Sequence, residues 1–182
     1  MVEPAAGALL IADPFLKDPN FMRTVVFLTE HGEEGTVGFV INRQFENTLD
    51  ELIPEIDLKL PVYFGGPVQP NTIHFLHRYP EEIPGGIEVM PGVFWGGEFD
   101  CVVELINSKE IDVDKIRFYI GYSGWSAGQL DAERNEKTWL TVEAARHLIF
   151  HENAEEIWKD ALKHLGGEYE MMINFPIDPQ LN

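Results

Sequence analysis

A chain of 182 residues, 45% hydrophobic and carrying 12 Phe, can bury a sizeable core, and its length fits one domain. Its 31 acidic against 13 basic residues leave a formal net charge of -18, with the acidic excess divided evenly between the two halves. Such a field repels nucleic acid and anionic membrane, so neither is an expected partner, and no half is a basic module in disguise. The lone Cys101 excludes an internal disulfide framework, and with no Asn-x-Ser/Thr glycosylation acceptor the chemistry points to the cytoplasm.

The apolar opening Ala5 to Ala12 lacks a basic flank, breaks at Asp13-Pro14 and is too short to span a bilayer, which leaves it as a first strand over Leu9 to Ala12. Thr24 to His31 is rich in β-branched and apolar residues, Gly32-Glu33-Glu34-Gly35 makes a turn, and Thr36 to Asn42 returns, giving a hairpin. A short helix covers Leu49 to Leu52 and stops before Pro54. Further strands are expected at Val62 to Phe64, Thr72 to His77, Gly86 to Met90, Lys115 to Gly121 and Thr138 to Val142. Phe99, Val102, Val103 and Ile106 fall at helical spacing, with Glu98 and Asp100 in the first turn where the macrodipole favours anions. Cys101 then reads as a small buried apolar residue of that helix. A last helix begins with Asn153 as N-cap and Glu156 three residues on, presents Ile157, Trp158, Ala161, Leu162 and Leu165 on one face, and ends at Gly166. Most strand spacings are too short for crossover helices, so pairing should be mainly antiparallel and the class α+β.

The most informative stretch is Gly121-Tyr122-Ser123-Gly124-Trp125-Ser126-Ala127-Gly128-Gln129-Leu130, which predicts a tightly folded, decorated loop after a strand. Trp125 offers a flat apolar platform and Gln129 a bidentate amide, with Asp131 and Glu133 as acceptors; alternatively Trp125 plugs the core and Gln129 ties down the loop backbone. Ser123 comes after Gly121 as in a nucleophile elbow, but Trp125 stands where that turn needs a small residue. In the hairpin, a four-residue loop makes facing residue numbers sum to 67 and puts Arg23 and Arg43 on opposite faces; a slip of one brings them together, where like charges need an anion between them. With Asn42 they could grip a carboxylate or phosphate, or else pair internally with Asp13 or Asp18. His31 closes a strand beside Glu33, as a general base or a structural hydrogen-bonder. His147 and His151 stand at i and i+4, but Asn153 starts a new helix, and no metal site is expected. Gly65-Gly66 and Gly96-Gly97 interrupt strand ends as turns or bulges; without a following Lys-Ser/Thr or a G-x-G-x-x-G they indicate no nucleotide, and no cofactor is expected.

Several blocks resemble the YqgE/AlgH proteins of bacteria: Gly7 to Pro14, Asp18 to Val26, His31, Gly38 to Arg43, Gly65 to Val68, Arg117 to Trp125, Gly128 to Leu130, Glu133 and Trp139. The resemblance covers nearly the whole chain and implies an α+β fold whose bent sheet closes into a partial barrel. It supplies no mechanism. Members are often labelled transcriptional regulators, yet this chain has no helix-turn-helix pattern and no basic stripe. The ending from residue 173 looks like a subgroup's extra tail that docks on the body. Three functional classes remain: a module binding a small molecule or protein through Arg23, Asn42, Arg43, Ser123, Trp125 and Gln129 in one hollow; a regulator of transcription acting indirectly; and a hydrolase-like enzyme using His31 or Ser123. The first predicts that those six side chains converge.

Overall fold

In chain order the strands are β1 Ala8–Ala12, β2 Val25–Gly32, β3 Gly35–Val40, β4 Gln44–Thr48, β5 Pro61–Phe64, β6 Val68–His77, β7 Ile87–Met90, β8 Val93–Trp95, β9 Ile116–Ser126 and β10 Trp139–Glu143, as given by a computed structural model that describes residues 1–176. The helices are α1 Leu49–Leu52, α2 Phe99–Asn107, α3 Gln129–Asn135, α4 Arg146–Ile149, α5 Ile157–Leu165 and α6 Glu168–Met171. Among the described residues the strands form one sheet in the order β10-β1-β2-β3-β9-β6-β8-β7, with β4 joined through β5. Every pairing is antiparallel except β5 with β9. The sheet is bent and curls into a partial barrel, so the class is α+β.

Alternation along the strands sends side chains to opposite faces and creates separate cores. Leu9, Ile11, Val25, Phe27, Phe39 and Tyr119 pack on the inner face against Leu148, Ile149, Ile157, Trp158, Ala161 and Leu162, so α4 and α5 fill the hollow of the curl. On the outer face, Leu10, Val26, Leu28 and Val40 lie with Trp125, Leu130 and Trp139. A third cluster joins Phe75, Phe118 and Ile120 to Val102 and Ile106 of α2. Cys101, expected to be buried, is only half-covered because the apolar stripe of α2 is carried by its neighbours Val102 and Ile106; burial and the Glu98 carboxylate beside it push its thiol upward.

The hairpin keeps its expected register at the tip, where Gly32 faces Gly35 and His31 faces Thr36, but a bulge between Leu28 and Glu30 shifts the rest by one, so Val26 faces Val40. Bulges insert one residue and re-aim the side chains beyond it. The slip that would juxtapose Arg23 and Arg43 therefore occurs.

The expected Gly121 loop is instead the second half of β9, whose Trp125 and Ser123 pair with Thr36 and Gly38 of β3. Tyr119 and Tyr122 both pack in the inner core, which strict alternation forbids. Gly121, at φ 66°, lies between them and resets the pleat. β5 and β6 flank β9 on opposite edges, so the intervening Gly65-Gly66-Pro67 must cross it. It crosses at Gly121: a Cβ on Gly121 would stand 2.4 Å from the Gly66 carbonyl oxygen, and one on Gly65 would stand 2.5 Å from that of Gly121. These glycines permit a strand crossing, where the expectation was a simple turn or bulge.

α1 and α2 begin where the periodicity places them. Asn153 does act as an N-cap, its side chain accepting from Glu155 N at 3.1 Å, but it caps a 3-10 turn, Ala154–Glu156, that leads into α5. The tail expected from residue 173 onward is described only through Pro176; from residue 177 it lies outside the described residues.

Candidate functional site

The six residues expected to share one hollow form two groups with different work. Ser123 is fully buried, and its hydroxyl donates to the Gly65 carbonyl at 3.0 Å, pinning the chain that crosses β9. Trp125 is 5% exposed, with ring centroids 6.2 Å from Phe21 and 6.0 Å from Trp139, and Phe21 lies 5.5 Å from Trp139. Gln129 opens α3 and turns its Oε1 back to accept from Ser126 N at 3.0 Å. In this group the side chains hold the sheet, an aromatic cluster and a helix start.

Asn42, Arg43 and Arg23 work on the loop that enters the hairpin. Asn42 Oδ1 accepts from Val25 N at 3.0 Å while its Nδ2 donates to the Arg23 carbonyl at 2.9 Å, so one side chain extends the pairing just beyond the strands. Arg43 Nη1 donates to Pro19 O at 2.9 Å and Asn20 O at 2.7 Å, and Nη2 donates to Met22 O at 3.0 Å. Backbone carbonyls, rather than an anion, thus receive this charge after the register slip. Arg23 turns away from Arg43 and places its guanidinium carbon 4.7 Å from the ring centroid of Trp158. Neither Asp13 nor Asp18 forms an ion pair with them: their carboxylates accept from Phe15 N and Asn20 N in local turns, each at 2.9 Å. Among the described residues, neither Arg23 nor Arg43 has a carboxylate within salt-bridge distance. Burial pulls both guanidinium groups below their ordinary pKa, and for Arg43 the charge on Asp18 partly opposes it. The two groups meet through the loop itself, since Phe21 touches Trp125 and its neighbour Met22 receives Arg43.

Asn42 and Arg43 line a cleft of about 560 Å³ whose other walls include Gln44, Tyr63, Glu152, Asn153 and Glu155. Pro61, Tyr63 and Glu152 also line a cavity of about 190 Å³ that reaches Arg117. In the sequence Arg117 stands out only as part of the Arg117 to Trp125 block of the resemblance. Its Nη1 and Nη2 donate to the carbonyls of Val113, Ile116, Phe150 and His151, again with no carboxylate at salt-bridge distance among the described residues. A basic residue inside an apolar strand was the signal that could have marked it, because such a charge needs a dedicated set of acceptors. Trp125 borders a different cleft, about 420 Å³, together with Glu30, Glu34 and Tyr122.

The histidines are engaged individually. His31 Nδ1 lies 2.7 Å from Thr36 Oγ1, its cross-strand partner, and Ser123 hydrogen-bonds elsewhere. His151 Nδ1 accepts from Asn153 N at 2.9 Å, so its Nε2 carries the proton that Asp160 accepts at 2.6 Å; His147 faces His164 edge-on. No helix among the described residues is long and apolar enough to cross a membrane.

A family model described as AlgH-like matches residues 9–170. A UPF0301 protein of Chlorobium limicola is 44% identical over 97% of this chain and 95% of its own. The solution structure of the AlgH protein from Pseudomonas aeruginosa superposes with a TM-score of 0.75 at 29% identity, covering 96% of this chain and 97% of that one. A crystal structure of a Corynebacterium diphtheriae protein reaches a TM-score of 0.81 at 20% identity over 96% and 94% of the two chains, a likeness of fold.

Proposed function

The chain belongs to the AlgH-like family, and on that premise we propose that it is a cytoplasmic regulatory module that binds a small molecule in the cleft beside Asn42 and Arg43. The observation that carries this reading is Arg43 itself. Three of the guanidinium's five N–H groups hold the Pro19, Asn20 and Met22 carbonyls, leaving two uncommitted on a half-buried charge that has no carboxylate within salt-bridge distance among the described residues, Asp18 acting on it only from farther off. In a chain with 31 acids, an arginine left without one is available to a ligand's anionic group.

The same cleft presents the Tyr63 ring as an apolar wall and Glu152 and Glu155 as acceptors. A ligand with an anionic end and an N–H donor fits that mixture better than a simple anion. Regulation of gene expression would then be indirect, through ligand-dependent contact with a protein, because the net charge of -18 opposes approach to DNA.

Thermal-shift titration with a panel of amino acids, dicarboxylates and nucleotides tests the reading. A ligand at a hundred times its Kd should raise stability by about 2.7 kcal/mol in the wild type. Arg43→Lys, which keeps the charge but not the fork, should remove most of that gain. Absence of stabilisation by every compound, or an equal gain in Arg43→Lys, would sink the proposal. Sequence-selective binding of duplex DNA at about 0.15 M salt would reverse the assignment of indirect action.

A further inference from the structure

Arg23 is engaged differently from Arg43. Its backbone sits at φ 55°, an uncommon region for a residue other than glycine, and the Asn42 amide holds the Arg23 carbonyl at 2.9 Å, so the start of β2 is fixed and the side chain is aimed from it. The guanidinium lies over Trp158, which is itself tied down by its Nε1 donating to the Ala12 carbonyl at 3.1 Å. Nη2 donates to the carbonyl oxygen of Phe175, and Nε is buried with no partner among the described residues.

Nε–H and one Nη2–H lie along a single edge of a guanidinium, spaced to meet both oxygens of a carboxylate. Phe175 offers that edge one oxygen. Its ring meanwhile packs 5.8 Å from Phe15, and both rings remain exposed, at 38% and 53%. The C-terminal segment thus brings to Arg23 an aromatic ring and an oxygen acceptor, which is an aromatic carboxylate short of one oxygen.

The geometry points to Arg23 as the seat of a carboxylate borne beside an aromatic ring, a seat that Phe175 covers when no such ligand is present. A carboxylate would give the orphan Nε its partner and replace a neutral acceptor by a charge-assisted one. Trp158 and Phe15 supply the apolar walls. A free aromatic acid and the C-terminal residue of a peptide share this chemistry. The inference stands on residues distinct from the Arg43 cleft and rests only on the reading of the chain as a binding module.

Nitrogen-15 NMR titration of the full chain at about 0.15 M salt tests it with three probes: N-acetyl-L-phenylalanine, its amide, and a short peptide ending in a free Phe carboxylate. The acid should shift the resonances of Phe15, Arg23, Trp158 and Phe175, and the amide should bind at least about tenfold more weakly. Phe175→Ala, which loosens the covering segment, should tighten the acid by about threefold or more, while Arg23→Lys should weaken it by about tenfold. If Arg23→Lys does not fold, the acid and amide comparison and Phe175→Ala still decide the matter. A peptide at least about tenfold tighter than the free acid supports a chain end as the source, and equal affinities support a small acid. Equal affinity for acid and amide, no shifts with millimolar acid, or unaltered binding in Phe175→Ala overturns the proposal. Shifts confined to Asn42, Tyr63 and Glu152 would also overturn it while supporting the Arg43 cleft.

Discussion

The crossing of β9 and the open end of the first hairpin use polar residues in opposite ways. At the crossing, Gly65, Gly66 and Gly121 leave no room for a Cβ, and the Ser123 hydroxyl is consumed on the Gly65 carbonyl. At the hairpin's end, Arg23 and Arg43 satisfy backbone carbonyls and, among the described residues, still keep donors beyond those bonds, one buried without a partner on Arg23 and two uncommitted on Arg43. The difference separates what a fold needs from what it can spare. A residue conspicuous in sequence can be wholly absorbed by packing, while an ordinary loop arginine retains chemistry.

The sharpest way to break this contrast is at the glycines. Gly121→Ala would force a Cβ to within 2.4 Å of the Gly66 carbonyl at φ 66°, whereas Gly128→Ala, at φ 77°, would meet nothing within 4 Å. Urea unfolding should show a loss of about 3 kcal/mol or more for Gly121→Ala, and about 1 kcal/mol for Gly128→Ala. Similar losses would mean that the crossing is not the tight point described. Arg43→Lys probes the other region, since a lysine cannot hold the Pro19, Asn20 and Met22 carbonyls in one plane. A loss of about 1–2 kcal/mol at unchanged m-value is expected, and no loss would remove its structural role.

The smallest effect concerns β6, the strand that the crossing delivers. His77 is fully buried, with Nε2 donating to Gly96 O at 2.8 Å and Nδ1 accepting from Tyr79 N at 3.1 Å. Burial pushes its imidazole below the ordinary value of 6.5, against the Gly96 carbonyl and Glu82, which favour protonation. Below pH 6.5 the unfolded chain therefore takes up the proton that the folded chain refuses, so stability should fall as the pH drops from 6.5 and level off once the folded pKa is passed. Half-buried His74 shifts the same way and adds to the slope. His77→Gln, measured by urea midpoint from pH 7.5 to about 5, should flatten this dependence, and an unchanged slope would assign it to other groups.

Local periodicity and turn chemistry made much of the fold legible. The hairpin tip, α1 and α2 needed only spacing and breakers, because short-range sterics decide them. The crossing was not legible: Gly65 and Gly121 are far apart in sequence, and nothing local reveals that one backbone must pass over the other. The bulge between Leu28 and Glu30 was also missed, since alternation reads equally well in either register until the far end is paired. For the site, the arginines were found from residue type, but Asp13 and Asp18 were natural partners on charge alone, and local turns claimed both.

By itself the sequence determined the α+β class, the net negative charge, much of the apolar periodicity and the family blocks, because hydrophobic spacing and local backbone preference are written residue by residue. Tertiary structure alone decided which polar groups are spent. A hydrogen bond consumes a donor only when its acceptor arrives from elsewhere in the chain, as Gly65 does for Ser123, Pro19 to Met22 for Arg43, and Phe175 for Arg23.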